Sequence, residues 1–262
     1  MEAKFSAGEL ASREYLTVRE DFPVSRVMNL LERTGYLGGV VSDEKGRYLG
    51  VIHVREIIRL RSDPSKTKVI SISKKVPLIE PSEGPYRIAK LMLENDVRIL
   101  PLKGAKGIDG VIYDTDLIRA FVERKLLKGT VRDVMTREVI TLEKGESIAK
   151  AISTLLKRKI SHLPITDGGK VVGVVSTHDV AAKVTFPKIR ISLGEVSGEK
   201  VKSLSLPVQN IMSTPVVTVD EGAPLNEGAA LMLDKEVGSL IVTSGSPSRL
   251  VGILTRKDLL EY

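Results

Sequence analysis

An α/β fold, assembled from four copies of one strand–helix–strand–strand–helix unit, is what this sequence predicts. Three observations carry the prediction. A seven-residue phrase ending in a carboxylate recurs four times along the 262 residues. A short β-branched run and an amphipathic helical pattern stand upstream of each copy. The chain is also 42% hydrophobic with 28% charged residues, a composition that buries a core and excludes wholesale disorder.

The phrase reads Gly50-Val-Ile-His-Val-Arg-Glu56, Gly110-Val-Ile-Tyr-Asp-Thr-Asp116, Gly173-Val-Val-Ser-Thr-His-Asp179 and Gly252-Ile-Leu-Thr-Arg-Lys-Asp258. Its glycines lie 60, 63 and 79 residues apart. Repetition at such a period marks units of about 55 residues, each too small to bury a core alone, so the units pair.

In the first unit the elements are a strand at Tyr15–Val18, a helix at Val24–Glu32 and strands at Gly39–Val41 and Tyr48–Val54. The second has Val76–Ile79, a helix at Tyr86–Leu93, then Ile99–Leu102 and Ile108–Tyr113. In the third, Val139–Leu142 is β-branched, and Gly145-Glu-Ser147 supplies a turn and a helix N-cap. Ile148, Ala151, Ile152, Leu155 and Leu156 then fall on one helical face. Leu163–Ile165 and Val171–Val175 flank Asp167-Gly-Gly169, a hairpin turn, and a second helix opens at Thr177. The fourth repeats this with Val216–Val219, Leu225–Leu233, Ser239–Val242 and Leu250–Leu254. The units span 10–62, 68–127, 128–184 and 207–262, and 185–206 is a linker or a hairpin.

Several function classes fall away. Cysteine is absent, which removes disulfides, thiolate nucleophiles and Cys-based metal sites. No apolar run approaches the ~20 residues of a membrane span, and the N-terminus lacks a signal-peptide layout, so a cytoplasmic, membrane-free protein is expected. His53, His162 and His178 have no metal-ligand spacing, and no nucleophile elbow, phosphate loop or dinucleotide fingerprint occurs. No catalytic residue, metal or catalytic cofactor is therefore expected. The net charge of +7 favours polyanionic ligands. One Gln and four Asn beside 40 Lys and Arg resemble thermophile usage.

The phrase itself suggests a nucleoside phosphate. A glycine in the third strand admits close approach of another group. The helix start that follows favours an anion, and a carboxylate accepts hydrogen bonds from vicinal ribose hydroxyls. The same Ser/Thr-x-x-Asp spacing also reads as a capping box, which needs no ligand. Tyr113 does not fit the capping pattern, although Asp116 is retained.

Phrase and element order together resemble the cystathionine beta-synthase (CBS) domain family across nearly the whole chain. Val131-Arg-Asp-Val-Met-Thr136 and Val208-Gln-Asn-Ile-Met-Ser213 look like its lead-in segment. The tetrad resembles the four-repeat group that includes the gamma subunit of AMP-activated protein kinase and stand-alone archaeal relatives. The resemblance implies two Bateman modules, repeats 1 with 2 and 3 with 4, forming a disk whose clefts bind AMP, ADP, ATP or S-adenosylmethionine. It places ribose at Asp116, Asp179 and Asp258, phosphate at Ser176 and Thr255, and the base beside Val111, Val174 and Ile253. Arg98, Ser161 and His162 reach phosphates, and Thr136 and Thr214, in or just after the lead-ins, join the candidate contacts.

Departures from the pattern matter. Repeat 1 ends in Glu56 and carries His53 at the hydroxyl position, so its site is expected empty. Repeat 2 has Tyr113 there, and repeat 4 has Val237-Gly-Ser-Leu240 in place of a basic pair. The expected function is a non-catalytic adenine-nucleotide sensor with a regulated protein partner and a homodimer among its options. The alternatives are an S-adenosylmethionine-binding regulator and a nucleic-acid-binding scaffold. Arg119, Arg124, Lys125 and Lys128, with Lys157-Arg-Lys159, are the basic clusters behind the last reading, though helix ends and solvated faces are commonly basic.

Overall fold

A computed structural model of the chain describes residues 5–60, 62–181, 204–245 and 249–262. Most of the expected linker or hairpin at 185–206 therefore lies outside the described residues. Repeat 1 contains β1 (Thr17–Arg19), α2 (Val24–Thr34), β2 (Gly38–Ser42), β3 (Tyr48–His53) and α3 (Val54–Ile58), after a short α1 (Ala7–Leu10). Repeat 2 contains α4 (Pro85–Glu94), β4 (Ile99–Gly104), β5 (Gly107–Tyr113) and α5 (Asp114–Glu123). Repeat 3 opens with α6 (Val131–Val134) and continues with β6 (Leu142–Glu143), α7 (Ile148–Arg158), β7 (His162–Asp167), β8 (Lys170–Ser176) and α8 (Thr177–Val180). Repeat 4 holds β9 (Thr218–Asp220), α9 (Leu225–Asp234), β10 (Ser239–Ser244), β11 (Arg249–Thr255) and α10 (Arg256–Glu261).

Each sheet is small, and its middle strand pairs antiparallel with the strand that follows it. Where the first strand forms, it pairs parallel with the middle one, as in β6 with β7. The hairpin turn after β7 has Gly168 and Gly169 at φ of 57° and 84°, the double positive φ that a two-residue turn needs. Ser147 caps α7 as expected, its side chain accepting from the Lys150 amide.

First strands are shorter than the β-branched runs suggest. In repeat 2 the expected Val76–Ile79 strand shrinks to one bridge, Ile79 to Leu102. Pro77 and Pro81 bracket it, and proline has no N–H to extend a ladder. In all four repeats the residues before the strand leave the sheet and cross to the partner repeat.

That crossing builds the modules. Ser12 bridges Val111, Lys74 bridges Val51, Thr136 bridges Ile253 and Ser213 bridges Val174. Each bridge joins the lead-in of one repeat to the residue after the phrase glycine of its partner, pairing 1 with 2 and 3 with 4. The glycines make room for it. A Cβ on Gly173 would lie 2.5 Å from Met212 Sδ, and one on Gly252 2.6 Å from Met135 Sδ. On Gly50 and Gly110 it would meet the carbonyl oxygens of Lys74 and Ser12 at 2.8 and 2.7 Å. The group that approaches the glycine is thus the partner's lead-in.

The modules join through their helices. α5 packs on α9, α10 on α4 and α5, and α3 on α8, so repeat 2 faces repeat 4 and repeat 1 faces repeat 3. One continuous apolar cluster, including Ile88, Leu117, Ile118, Leu225, Ala229 and Leu259, runs through repeats 2 and 4. Each buried Leu or Ile among them contributes about 1.5–3 kcal/mol. Repeats 1 and 3 keep clusters of their own. Among the described residues no helix is long and apolar enough to cross a membrane.

Candidate functional site

β8 ends at Ser176, and the chain turns directly into α8. Asp179 Oδ2 accepts hydrogen bonds from the Ser176 amide at 2.8 Å and the Ser176 hydroxyl at 2.5 Å. The Asp179 amide donates back to Ser176 Oγ at 3.1 Å, completing a capping box. Oδ1 of the same carboxylate takes a 2.6 Å hydrogen bond from the Ser213 hydroxyl, in the lead-in of repeat 4. Repeat 4 mirrors this. Asp258 Oδ2 accepts from Thr255 N and Oγ1 at 2.6 and 2.7 Å, while Oδ1 accepts from Thr136 Oγ1 at 3.3 Å. Capping thus takes one oxygen of each carboxylate. The other is held by a hydroxyl from the partner repeat.

Both carboxylates open onto a cavity of about 900 Å³ lined by all four repeats. Ten of the residues singled out from sequence line it: Arg98, Thr136, Ser161, His162, Val174, Ser176, Asp179, Ile253, Thr255 and Asp258. Val139, Ile140, Pro215 and Val216 add apolar wall.

Three candidates do not join them. Val111 is fully buried and pairs through its backbone with Ser12. Asp116 accepts the Tyr113 amide at 2.8 Å, and burial raises its pKa. It does not line the cavity, whereas Asp114, two residues earlier, does. Thr214 is exposed beyond the bridge, and the neighbouring Ser213 makes the contact.

Cations from three repeats meet at the centre of the cavity. Arg55 is 8% exposed and pairs with Asp96 at 2.7 Å. Arg98 and Arg256 both stand 3.7 Å from Asp114, which is itself buried. Burial pushes the pKa of Arg98 down, opposed by Asp114. His162 is depressed to about 3, chiefly by desolvation, then by Arg256 and Arg98, with Asp179 opposing. His53 is also depressed to about 3 by desolvation, then by Arg55, Arg98, Arg256 and His178. Asp258 moves up because burial outweighs its hydrogen bonds. The site can therefore hold neutral imidazoles and fixed guanidinium charge side by side.

Gly238 explains why repeat 4 lacks the basic pair. An added Cβ would sit 2.3 Å from His162 Nε2, so glycine leaves that ring its place. Arg55, Asp114 and Arg256 escaped the sequence reading because they occupy phrase positions treated as variable. Their signal was the charge at those positions in repeats 1, 2 and 4.

Comparison with known proteins fits this architecture. Protein MJ1404 of Methanocaldococcus jannaschii is 31% identical over 260 residues, which is 97% of this chain. The chain spans 61% of that relative's length. The crystal structure of protein MJ1225 from the same organism, described as a candidate archaeal homologue of γ-AMPK, superposes with a TM-score of 0.84 at 20% identity. That superposition covers 98% of this chain and 99% of the other. A conserved protein of Pyrococcus horikoshii superposes with a TM-score of 0.68 at 22% identity, covering 98% and 99% of the two chains. The CBS domain profile matches residues 7–63, 69–123, 131–185 and 208–262, one match for each repeat. With its swapped lead-ins and four matched repeats, the chain belongs to the CBS domain family.

Proposed function

We propose that the cleft between repeats 3 and 4 binds adenine nucleotides and that the protein is a non-catalytic sensor of them. The observation that carries this reading is the paired arrangement of Asp179 and Asp258. Each has one oxygen fixed in a helix cap and the other held by a side-chain hydroxyl, from Ser213 or Thr136. A ribose carries two vicinal hydroxyls that can replace those donors at little cost, since a carboxylate accepts several hydrogen bonds.

The surroundings supply the rest of a nucleotide's needs. Val174 and Ile253, with Val139 and Val216, offer apolar surface for a base. Arg98 and Arg256 offer charge to phosphates, and guanidinium–phosphate hydrogen bonds are among the stronger ones. About 900 Å³ lies within the 300–1,000 Å³ range of small-molecule sites. Signalling would follow from differential affinity, because a ligand shifts only states that it distinguishes. The cavity touches all four repeats, so a ligand there can bias how the modules pack.

Thermal denaturation with AMP, ADP, ATP, S-adenosylmethionine, adenosine and a short RNA tests this reading. A concentration-dependent rise in Tm with the adenine nucleotides, larger than with adenosine, is expected. A rise with RNA alone would replace the sensor by the nucleic-acid scaffold, and a rise with S-adenosylmethionine alone would change the ligand class.

A further inference from the structure

The two modules differ in side-chain size at some of their corresponding positions. Strand register aligns Lys74 with Thr136 and Ser213, since each bridges the residue after a phrase glycine. It also aligns Tyr36 with Ile160, each two residues before the strand residue that pairs with a phrase hydroxyl position, namely Gly38 with His53 and His162 with Ser176. In repeats 3 and 4 these places hold Ser213, Thr136 and Ile160, and the cavity opens there. In repeats 1 and 2 the lead-in places hold Ser12 and Lys74 and the places before the strand hold Tyr36 and Val97, so Lys74 and Tyr36 are the larger side chains, with Tyr113 at the hydroxyl position of repeat 2.

Those larger side chains occupy one another. Lys74 Nζ stands 3.5 Å from Glu56 Oε1 and donates to the Asp96 carbonyl at 2.8 Å. It meets Glu56 where Ser213 meets Asp179. Tyr36 and Tyr113 stack with ring centroids 6.5 Å apart and planes 11° from parallel. The Tyr113 hydroxyl is buried there without a hydrogen-bond partner among the described residues.

We propose that Lys74 and the Tyr36–Tyr113 stack are built-in occupants of the cleft between repeats 1 and 2, keeping external ligand out of it. This rests on the reading that the repeat 3–4 cleft takes an adenine nucleotide. The Lys74 ammonium satisfies the carboxylate that the other module offers to ribose, and the stacked rings fill the apolar slot. Binding is therefore capped at two nucleotides per chain, and the first module acts as a closed frame against which the second responds.

Calorimetric titration of AMP into the full chain tests the cap. Wild type is expected to bind at most two equivalents. A variant carrying Lys74→Ser, Glu56→Asp, Tyr36→Ile and Tyr113→Thr, which installs the residue types of the open module, is expected to gain at least one more. Three or more equivalents on wild type overturn the proposal. So does a variant that keeps the wild-type circular dichroism and a cooperative melt yet gains none. If wild type binds no AMP, the nucleotide reading itself has failed, and the lock is then judged without ligand. Lys74→Met and Glu56→Gln are each expected to lower Tm, and the double variant to lose less than their sum. Additive losses overturn the lock, and the same cycle decides the matter if the four-residue variant does not fold.

Discussion

Ser213 Oγ lies 2.6 Å from Asp179 Oδ1, although the two residues belong to different repeats. Thr136 and Asp258 repeat the contact with the roles of the repeats exchanged. A carboxylate that looks like a helix cap when its own repeat is read alone is therefore also a joint between repeats. The cap explains its recurrence in the phrase, and the second oxygen explains how it also serves the cleft.

Asp179→Ala and Asp258→Ala should each remove one nucleotide site. Losing a hydrogen bond to a charged group costs about 1.5–3 kcal/mol, or roughly ten- to a hundredfold in affinity. Each should also lower stability by about 1 kcal/mol through the lost cap. Ser176→Ala should lose the cap term with a smaller effect on affinity, so titration and melting of the three variants separate the two roles.

Arg98→Ala should weaken ATP and ADP more than adenosine. Arg98 shares Asp114 with Arg256, and Arg256→Ala should act in the same direction. Affinity ratios between adenosine and each phosphate form are the readout. Equal weakening of all ligands would point to lost packing in place of lost phosphate contacts.

The phrase glycines should differ in tolerance. Alanine at Gly50 or Gly110 meets backbone carbonyl oxygens of Lys74 and Ser12, which cannot move alone. At Gly173 or Gly252 it first meets methionine side chains, which can swing aside. Overpacking costs about 1–3 kcal/mol. The losses at Gly50 and Gly110 should exceed those at Gly173 and Gly252 in denaturant melts.

Stability should fall on acidification below neutral pH. His53 and His162 are depressed to about 3 from an ordinary 6.5, so the unfolded chain binds protons that the folded chain refuses. Their contribution is fully present above pH 6.5 and is lost as pH falls toward 3. The slope is at most about 1.4 kcal/mol per pH unit for each histidine. His162→Gln should flatten the pH dependence of Tm in this window.

Much of this protein was legible in its sequence because its signals are local. The hairpin turn at Gly168 and Gly169, the Ser147 cap and the helix faces all arise within a few residues, and they stand where the periodicity places them. The phrase marked Asp179 with Ser176 and Asp258 with Thr255 as candidates within their own repeats, and the structure places all four on one cavity. What escaped depends on crossings between repeats. Asp116 and Val111 match the phrase, but nothing local reveals that Tyr113 stacks on Tyr36, 77 residues away in sequence. That Ser213, one residue before Thr214, makes the contact with Asp179 follows from the bridge to Val174. Gly238 reads as a missing basic residue until His162 is seen against it.

The central claim is that nucleotide binds between Asp179 and Asp258, and one titration tests it most directly. AMP titrated calorimetrically into nucleotide-free wild type and into the Asp179→Ala/Asp258→Ala double variant should saturate the first and give no binding heat with the second, while both melt cooperatively. Undiminished saturable binding by the folded double variant, or none by wild type, would contradict it.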